Sequence, residues 1–496
     1  MGNRISIGIV GSGTAGLISA LMLRKSFPTY DITIVSSSKI GIIGVGEGST
    51  EHWREFMETC NIPTEELIVE TAATHKYGIR FENWSTHTPD YFHSISGSDD
   101  IFANGLYATY MGFFEKEKLL TSQTASVGLV RNQISRKNLH KSTNQFHFDT
   151  FKLNEYLTTL CFQRMIKFID DTVEDVKVDS ETGCIAGVSL AYNQTLEADF
   201  WFDASGLQRV LMTKLGNTSW ESFSPYLLCD SAIAFPTESD PNNQIRPYTR
   251  ARAMSSGWVW EIPTQERRGN GYVYSSAHAS EDAAIDEVQK LTGYKVVDNP
   301  RTFKFDAGYL KNQWVKNCVA VGLASSFVEP LEATSIGSTL LQVKMLIENI
   351  ACYTPHSTKL QVSYNKTIAE TMRNILTMIR LHYISDRQDT PFWVDQSKMP
   401  INDELQELID LWSEKPPSRY DLIAGPHLMF HVPHLVHVAQ GQGLIPTKPS
   451  TVALDRLNLR FMVDKEMDDI RNSRHNHELV DHKQALLEIQ GIDNEF

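Results

Sequence analysis

The sequence predicts an α/β fold: a Rossmann-like parallel sheet, interleaved along the chain with a second β-sheet and with helices. Three observations predict it. The apolar run Ile5 to Val10 ends at a glycine, and a helical pattern follows from Thr14 to Arg24 with Leu17, Leu21 and Leu23 on or near one face. The run Asp31 to Val35 then completes a βαβ-type opening, whose two strands must be parallel. From Ile336 to the end helical patterns dominate, so strands and helices alternate instead of falling into separate blocks.

The intervening elements follow in order. Asp149 is placed to cap a helix carrying Phe151, Leu153, Tyr156, Leu157, Leu160 and Cys161. From Lys167 to Asp203 short β-type runs alternate around a turn at Asp179 to Gly183, as in a meander returning to the sheet. Tyr226 to Tyr274 is strand-rich and aromatic and reads as a second sheet, and Cys318 to Gly322 is one more apolar strand. No internal repeat or low-complexity linker divides the chain.

Composition narrows the class. The 496 residues are 41% hydrophobic and 21% charged, an ordinary globular balance. A net charge of −14 disfavours phosphate backbones, so no nucleic-acid partner is expected. No apolar stretch is long enough to cross a membrane, and the first strand begins too early to leave room for a leader. Cys60, Cys161, Cys184, Cys229, Cys318 and Cys352 form no C-x-x-C pair and no zinc-like spacing with histidine. They read as reduced, mostly buried thiols in a cytoplasmic protein, with no metal site.

Gly11-Ser12-Gly13-Thr14-Ala15-Gly16 is a G-x-G-x-x-G run at the first strand–helix junction. Gly11 allows the tight turn, Gly13 lets backbone approach a pyrophosphate, and Gly16 lets helix and strand pack closely; the helix N-terminus attracts the anion. A dinucleotide site is the expectation. The acid that usually meets the ribose is missing, because the second strand ends Val35-Ser36-Ser37-Ser38. Two segments favour FAD over NAD. Asp203-Ala204-Ser205-Gly206 resembles the D-A-x-G turn of flavoprotein hydroxylases, and Gly44-Val45-Gly46-Glu47-Gly48 is a glycine-rich loop suited to an extended cofactor. No second G-x-G-x-x-G serves NAD(P)H, so reduced flavin is expected from a separate reductase.

Five ordered motifs between Gly11 and Trp393 resemble the flavin-dependent tryptophan halogenase family. Trp258-Val259-Trp260-Glu261-Ile262-Pro263 is similar to its W-x-W-x-I-P, and Pro330-Leu331-Glu332-Ala333-Thr334-Ser335-Ile336 to its P-L-E-[SA]-T segment. The others are the stretch Thr74 to Trp84 around Lys76, Phe146-His147-Phe148-Asp149, and the run from His382-Tyr383 through Asp389-Thr390-Pro391-Phe392-Trp393. The resemblance implies one composite unit over 1–496 with a GR2-type FAD-binding fold. Segments 1–50, 150–210 and 315–350 would form the FAD module, and 51–149, 211–314 and 351–496 the substrate module.

The resemblance also implies roles. Reduced FAD and oxygen would convert a halide ion into hypohalous acid. Backbone N–H groups of Thr334 and Ser335, just before a helix, would bind the halide, although many members carry glycine where this chain has Ser335. Lys76 would hold or activate the oxidant, either by hydrogen-bonding hypohalous acid or as a haloamine. Glu332 would stabilise the cationic ring and take its proton. Trp258, Trp260 and Pro263 would wall the flavin from the organic substrate. Ser37, Gly48, Val173, Leu323 and Ile336 join Gly11, Gly13, Thr14, Ala15, Gly16, Asp203 and Gly206 as expected cofactor contacts. Blander readings stand beside these: a solvated surface lysine at Lys76, a helix-capping acid at Glu332, core packing for the tryptophans.

The expected reaction is halogenation of an electron-rich small aromatic, of indole or phenol type. Ala333 stands where tryptophan-directed members commonly carry serine, so free tryptophan is not singled out. An FAD-dependent aromatic monooxygenase would account equally for Gly11 to Gly16 and Asp203 to Gly206, but not for Lys76, Trp258 to Pro263 and Glu332 together. Oligomeric state and preferred halide are not legible.

Overall fold

The computed structural model describes residues 5–42, 47–94, 111–112, 133–135, 145–192, 194–216, 219–238, 244–293, 295–296, 300–354, 357–422, 425–463, 465 and 479–492. Val45 and its flanking glycines lie outside the described residues, while Glu47 and Gly48 lie within them.

The parallel sheet runs Cys318–Ala320, Phe200–Asp203, Ser6–Val10, Asp31–Ser36, Lys167–Asp170, with Trp314–Val315 antiparallel at one edge. Its side chains alternate by the period of two that a strand imposes. Ile7, Ile9, Ile32, Ile34, Phe200 and Phe202 enter the main core; Val10, Val35, Trp201, Cys318 and Ala320 enter a second core on the opposite face. Burial on both faces is why these strands read as continuous apolar runs. Helix Thr14–Ser26 crosses between the first two strands and packs on helix Thr334–Ile350.

The meander is a separate three-stranded sheet of Val173–Val178, Ile185–Leu190 and Thr195–Glu197. At its turn the Asp179 carboxylate accepts the N–H groups of Glu181 and Thr182. The aromatic stretch forms a seven-stranded sheet ordered Arg301–Lys304, Ser231–Glu238, Arg267–Tyr274, Gly257–Pro263, Thr249–Ala253, Gly78–Glu82, Asp90–Ser94. A small third sheet places Phe146–Phe148 between Glu47–Gly48 and Thr74–His75.

Two expectations change in detail. The helix expected from Ile336 begins at Thr334, so Thr334 and Ser335 are its first two residues instead of its approach. Leu479–Asp481 is a strand, paired with Gln133–Ser135, inside a stretch where helical patterns dominate. Three residues are too few to display a period.

Of the six cysteines none forms a disulfide, and Cys60, Cys161, Cys229 and Cys318 are buried. Among the described residues no helix is long and apolar enough to cross a membrane, and no three His, Cys, Asp or Glu side chains gather as metal ligands.

Asp149 caps helix Thr150–Gln163, as its position predicts: Oδ1 accepts from the N–H groups of Phe151 and Lys152 at 3.0 and 3.3 Å, and Oδ2 accepts from Arg267 Nε at 2.7 Å. Burial raises the pKa of its carboxyl, but Arg267 and the helix N–H groups outweigh burial and hold it below the usual value. Its stabilising effect is therefore present above the unfolded-state pKa and lost as pH falls through the folded-state one. Asp149→Ala should cost about 1–2 kcal/mol in urea unfolding, and Asp149→Asn, which keeps a capping oxygen, should cost less.

Candidate active site

Gly11, Ser37, Gly206 and Leu323 follow the carboxyl ends of parallel strands, where such sheets bind ligands. Gly11 follows the first strand with φ +110°, and a Cβ there would lie 2.3 Å from the Ala204 carbonyl oxygen. A Cβ at Gly16 would lie 2.1 Å from the Gly11 carbonyl oxygen. At Gly13 a Cβ would meet nothing within 4 Å, so the turn is closed behind and open in front. Open space over free first-turn amides is what a pyrophosphate needs, and the residues fit a dinucleotide. Ser37 opens the turn after the second strand and is half-buried, and Val173 packs in the core that contains Val10 and Val35. Leu323 lies in the short helix Gly322–Ala324, whose Gly322 abuts Ala15, and Ile336 is buried in the first turn of its helix.

Asp203 sits inside a hydrogen-bonded turn. Both Asp203 oxygens are occupied within the turn: Oδ1 accepts from Ser205 N and Oγ, and Oδ2 from the N–H groups of Leu211 and Met212. Asp203 thus shapes the turn that carries Gly206. The strand beside the second one carries an acid next to the Ser36–Ser38 segment. Asp170 pairs in register with Ser36 and accepts the Ser38 N–H at 2.8 Å. The pairing joins residues 134 positions apart, too far for a local motif to reveal.

Lys76 and Glu332 are brought together from distant parts of the chain. Phe146–Phe148, in the middle of the small sheet, holds Gly48 on one side and Thr74–His75 on the other. Lys76 follows directly, its N–H donating to the Gln145 carbonyl at 3.0 Å and its Nζ to the Ser49 carbonyl at 2.9 Å. A methyl at Gly48 would stand 3.3 Å from both Lys76 Nζ and Ala333 Cβ, so Lys76 lies beside the start of helix Thr334–Ile350. Lys76 is only 1% exposed, which rules out the surface-lysine reading. Burial lowers its ammonium pKa to about 8, against the opposing pull of Glu332 and Glu51.

Glu332 ends the short helix Pro330–Glu332, and Ala333, with φ +54°, turns the chain into the long helix. The carboxylate is 3% exposed and meets two histidines: Oε1 lies 2.7 Å from His382 Nε2 and Oε2 lies 2.8 Å from His93 Nδ1. His93 Nε2 is in turn 3.0 Å from His434 Nδ1. Burial would raise the pKa of the Glu332 carboxyl, but the charge of His93 and the bonds from His382 and His93 outweigh it and hold the carboxyl well below the usual range. Thr334 is buried and Ser335 exposed, and the N–H groups of this first turn have no partner within the helix.

His93, His382 and His434 are site residues that sequence reading did not single out. His382 belongs to a quoted motif; His434 and His437 share a helix face at i, i+3, which is a weak signal on its own. His93 alternates with Tyr91 on an edge strand and carries no signal.

Trp258 and Trp260 are buried in strand Gly257–Pro263 with ring centroids 6.1 Å apart. Trp258 Nε1 donates to Glu329 Oε2 at 2.7 Å, and Tyr383 OH donates to the same oxygen at 2.6 Å. Glu329 therefore ties the strand to the end of helix Thr358–His382, and burial raises its pKa to about 7. The Pro263 carbonyl accepts from Thr74 Oγ1 at 2.7 Å, which ties the tryptophan strand to the segment carrying Lys76.

A dinucleotide cradle on a parallel sheet, with a buried lysine and carboxylate beside it, defines a nucleotide-cofactor enzyme. Comparison with known proteins names the family. The profile described as tryptophan halogenase matches residues 6–456, and the chain belongs to that family of flavin-dependent halogenases. It is 31% identical to tryptophan 7-halogenase RebH of Lentzea aerocolonigenes, covering 82% of this chain and 81% of that protein. It is 28% identical to tryptophan 6-halogenase SttH of Streptomyces toxytricini, covering 89% and 90%. Among solved structures, the flavin-dependent halogenase BrvH from Brevundimonas sp. BAL3 superposes with a TM-score of 0.82 at 27% identity, over 98% of this chain and 99% of that one.

Gly48→Ala should crowd Lys76 Nζ and lower aromatic halogenation about tenfold, the scale of a small misplacement of a reacting group. Product analysis and a melting curve on the same preparation check it, with melting expected to change little.

Proposed function

We propose that this protein halogenates an electron-rich aromatic small molecule of indole or phenol type, using FADH2 from a separate reductase, oxygen and a halide ion. The observation that carries the reading is the meeting of Lys76, Glu332 and the Thr334–Ser335 helix start around Gly48. Bound reduced FAD, with oxygen, supplies the oxidising equivalents that turn halide into hypohalous acid.

The protein's own residues do the rest. Gly11, Gly13, Thr14, Ala15 and Gly16 hold the pyrophosphate, with Ser37, Gly48, Val173, Gly206, Leu323 and Ile336 along the cofactor and Asp203 bracing the turn. The first-turn amides of Thr334 and Ser335 attract the halide. Lys76, protonated at neutral pH because its pKa is about 8, donates a hydrogen bond that aims the oxidant. Glu332, kept ionised, stabilises the cationic ring and accepts its proton. Trp258, Trp260 and Pro263 separate flavin from organic substrate, so only a small oxidant crosses. A cytoplasmic setting, where flavin reductases supply reduced cofactor, fits the free thiols. RebH and SttH are tryptophan halogenases; Ala333 in place of serine supports a broader indole or phenol range here.

The direct test incubates indole, with chloride or bromide, a flavin reductase, NADH and FAD, and reads product mass. A halogenated indole that disappears when halide is withheld is expected; hydroxylated product without halide would establish the monooxygenase reading instead. Lys76→Ala should lower product formation by roughly 10²- to 10⁴-fold while oxygen still oxidises the reduced flavin, followed by stopped flow. Product rate in the unaltered enzyme should fall as pH rises through about 8, because the acting form of Lys76 is the ammonium. A rate that climbs through that range would assign the work to the neutral amine. Ser335→Gly should keep turnover and shift the chloride-to-bromide ratio in competition, since backbone donors survive the change and the space around them does not.

A further inference from the structure

The two oxygens of Glu332 are held in different ways. On the Oε2 side His93 Nδ1 donates, and the donor between His93 Nε2 and His434 Nδ1 depends on the tautomer of each ring. On the Oε1 side every donor is fixed by chemistry. A carboxylate only accepts, so His382 Nε2 must carry the proton in its 2.7 Å bond to Oε1. Burial lowers the His382 pKa, which leaves its Nδ1 as an acceptor. Tyr91 OH, 3.0 Å from Nδ1, must then donate. The Gln442 side-chain nitrogen spends one N–H on the Tyr91 oxygen at 3.2 Å and the other on the His382 carbonyl at 2.8 Å. Protons therefore point one way along the whole line, from Gln442 to Tyr91 to His382 to Glu332.

Packing locks the line in place. The His382 ring stacks on Phe81 at 4.3 Å and meets the edge of Trp84 at 5.8 Å; Tyr91 stacks on Phe81 at 5.1 Å. A Cβ at Gly441 would lie 2.4 Å from the Tyr91 ring, so the glycine makes room for it. The participants come from an edge strand, the C-terminus of helix Thr358–His382, and the residue after helix Val432–Gly441.

We propose that Tyr91 and Gln442 are positioning residues of the halogenation reaction: they fix His382 in the tautomer that donates to Glu332 Oε1, and so keep that carboxylate aimed and ready to take the ring proton. The inference rests on the reading of Glu332 as the proton acceptor. Without Tyr91 OH, the His382 proton is free to move to Nδ1, and the ring would then turn a lone pair towards the carboxylate. The other charged or titratable groups facing this centre are His93 from the edge strand, His434 and His437 from helix Val432–Gly441, and Lys76 and Glu51 from the segments beside Gly48.

A double-mutant cycle in the holoenzyme tests this with indole and bromide. Tyr91→Phe should lower kcat about tenfold, the scale of one directed hydrogen bond, with KM changed less than about twofold and the acid limb of the pH–kcat profile displaced. His382→Gln keeps a donor at the Nε2 position but has no tautomer to set. Whatever rate His382→Gln itself loses, adding Tyr91→Phe to it should cost almost nothing further. Gln442→Met should repeat the Tyr91→Phe effect in weaker form, which covers a Tyr91 variant that folds poorly. Equal losses from Tyr91→Phe with and without His382→Gln would overturn the proposal and reduce Tyr91 to packing, as would full activity and an unmoved pH profile in both Tyr91→Phe and Gln442→Met. Glu332→Gln separates the two readings. If that variant still halogenates indole at the normal rate, the role given to Glu332 fails first; if it is inactive while the cycle shows no coupling, only the positioning line fails.

Discussion

An ammonium and a carboxylate share one dry interior, and the rest of the site is arranged around that fact. Neither charge would survive there alone, because burial drives each towards its neutral form. Lys76 keeps its proton through Glu332 and Glu51, assisted by the Ser49 carbonyl. Glu332 stays ionised through His93 and His382. The histidines are thus as necessary as the charged pair, and the reach of the site extends from the edge strand at His93 to the helix bearing His434.

The parallel sheet and the catalytic pair meet through one helix. Thr334–Ile350 packs against the helix that starts at the dinucleotide turn, and its own first turn stands beside Lys76. A single rigid element therefore spans the distance between cofactor cradle and reacting groups. Buried Glu329, clamped by Trp258 and Tyr383, fixes the approach to that helix from the opposite side.

Much of the fold was legible because local rules governed it. Gly11 to Gly16, the alternating apolar runs of the parallel strands and the cap at Asp149 each depend on neighbours a few residues away. Glu332, Thr334 and Ser335 were legible through a motif, and the structure sets them beside Lys76. What stayed hidden depends on contacts across the chain. Asp170 reaches Ser38 over 132 positions, and His93 reaches Glu332 over 239. Asp203 was legible through its D-A-x-G motif, but the amides of Leu211 and Met212 that hold its carboxylate lie beyond that motif.

The small sheet around Phe146–Phe148 has a consequence for how the protein fails. Lys76 is anchored by backbone bonds to that sheet, Thr74 bonds to Pro263 and accepts from His147, and the far nitrogen of His147 accepts from Thr249. Every one of these partners is buried or lies in the seven-stranded sheet. Among the described residues these bonds all lead into the core, so local opening that frees the lysine must disturb the core. The amides around Lys76 then belong to the slowest-exchanging class, released only when the whole molecule opens, and on heating the chemistry and the fold should be lost together.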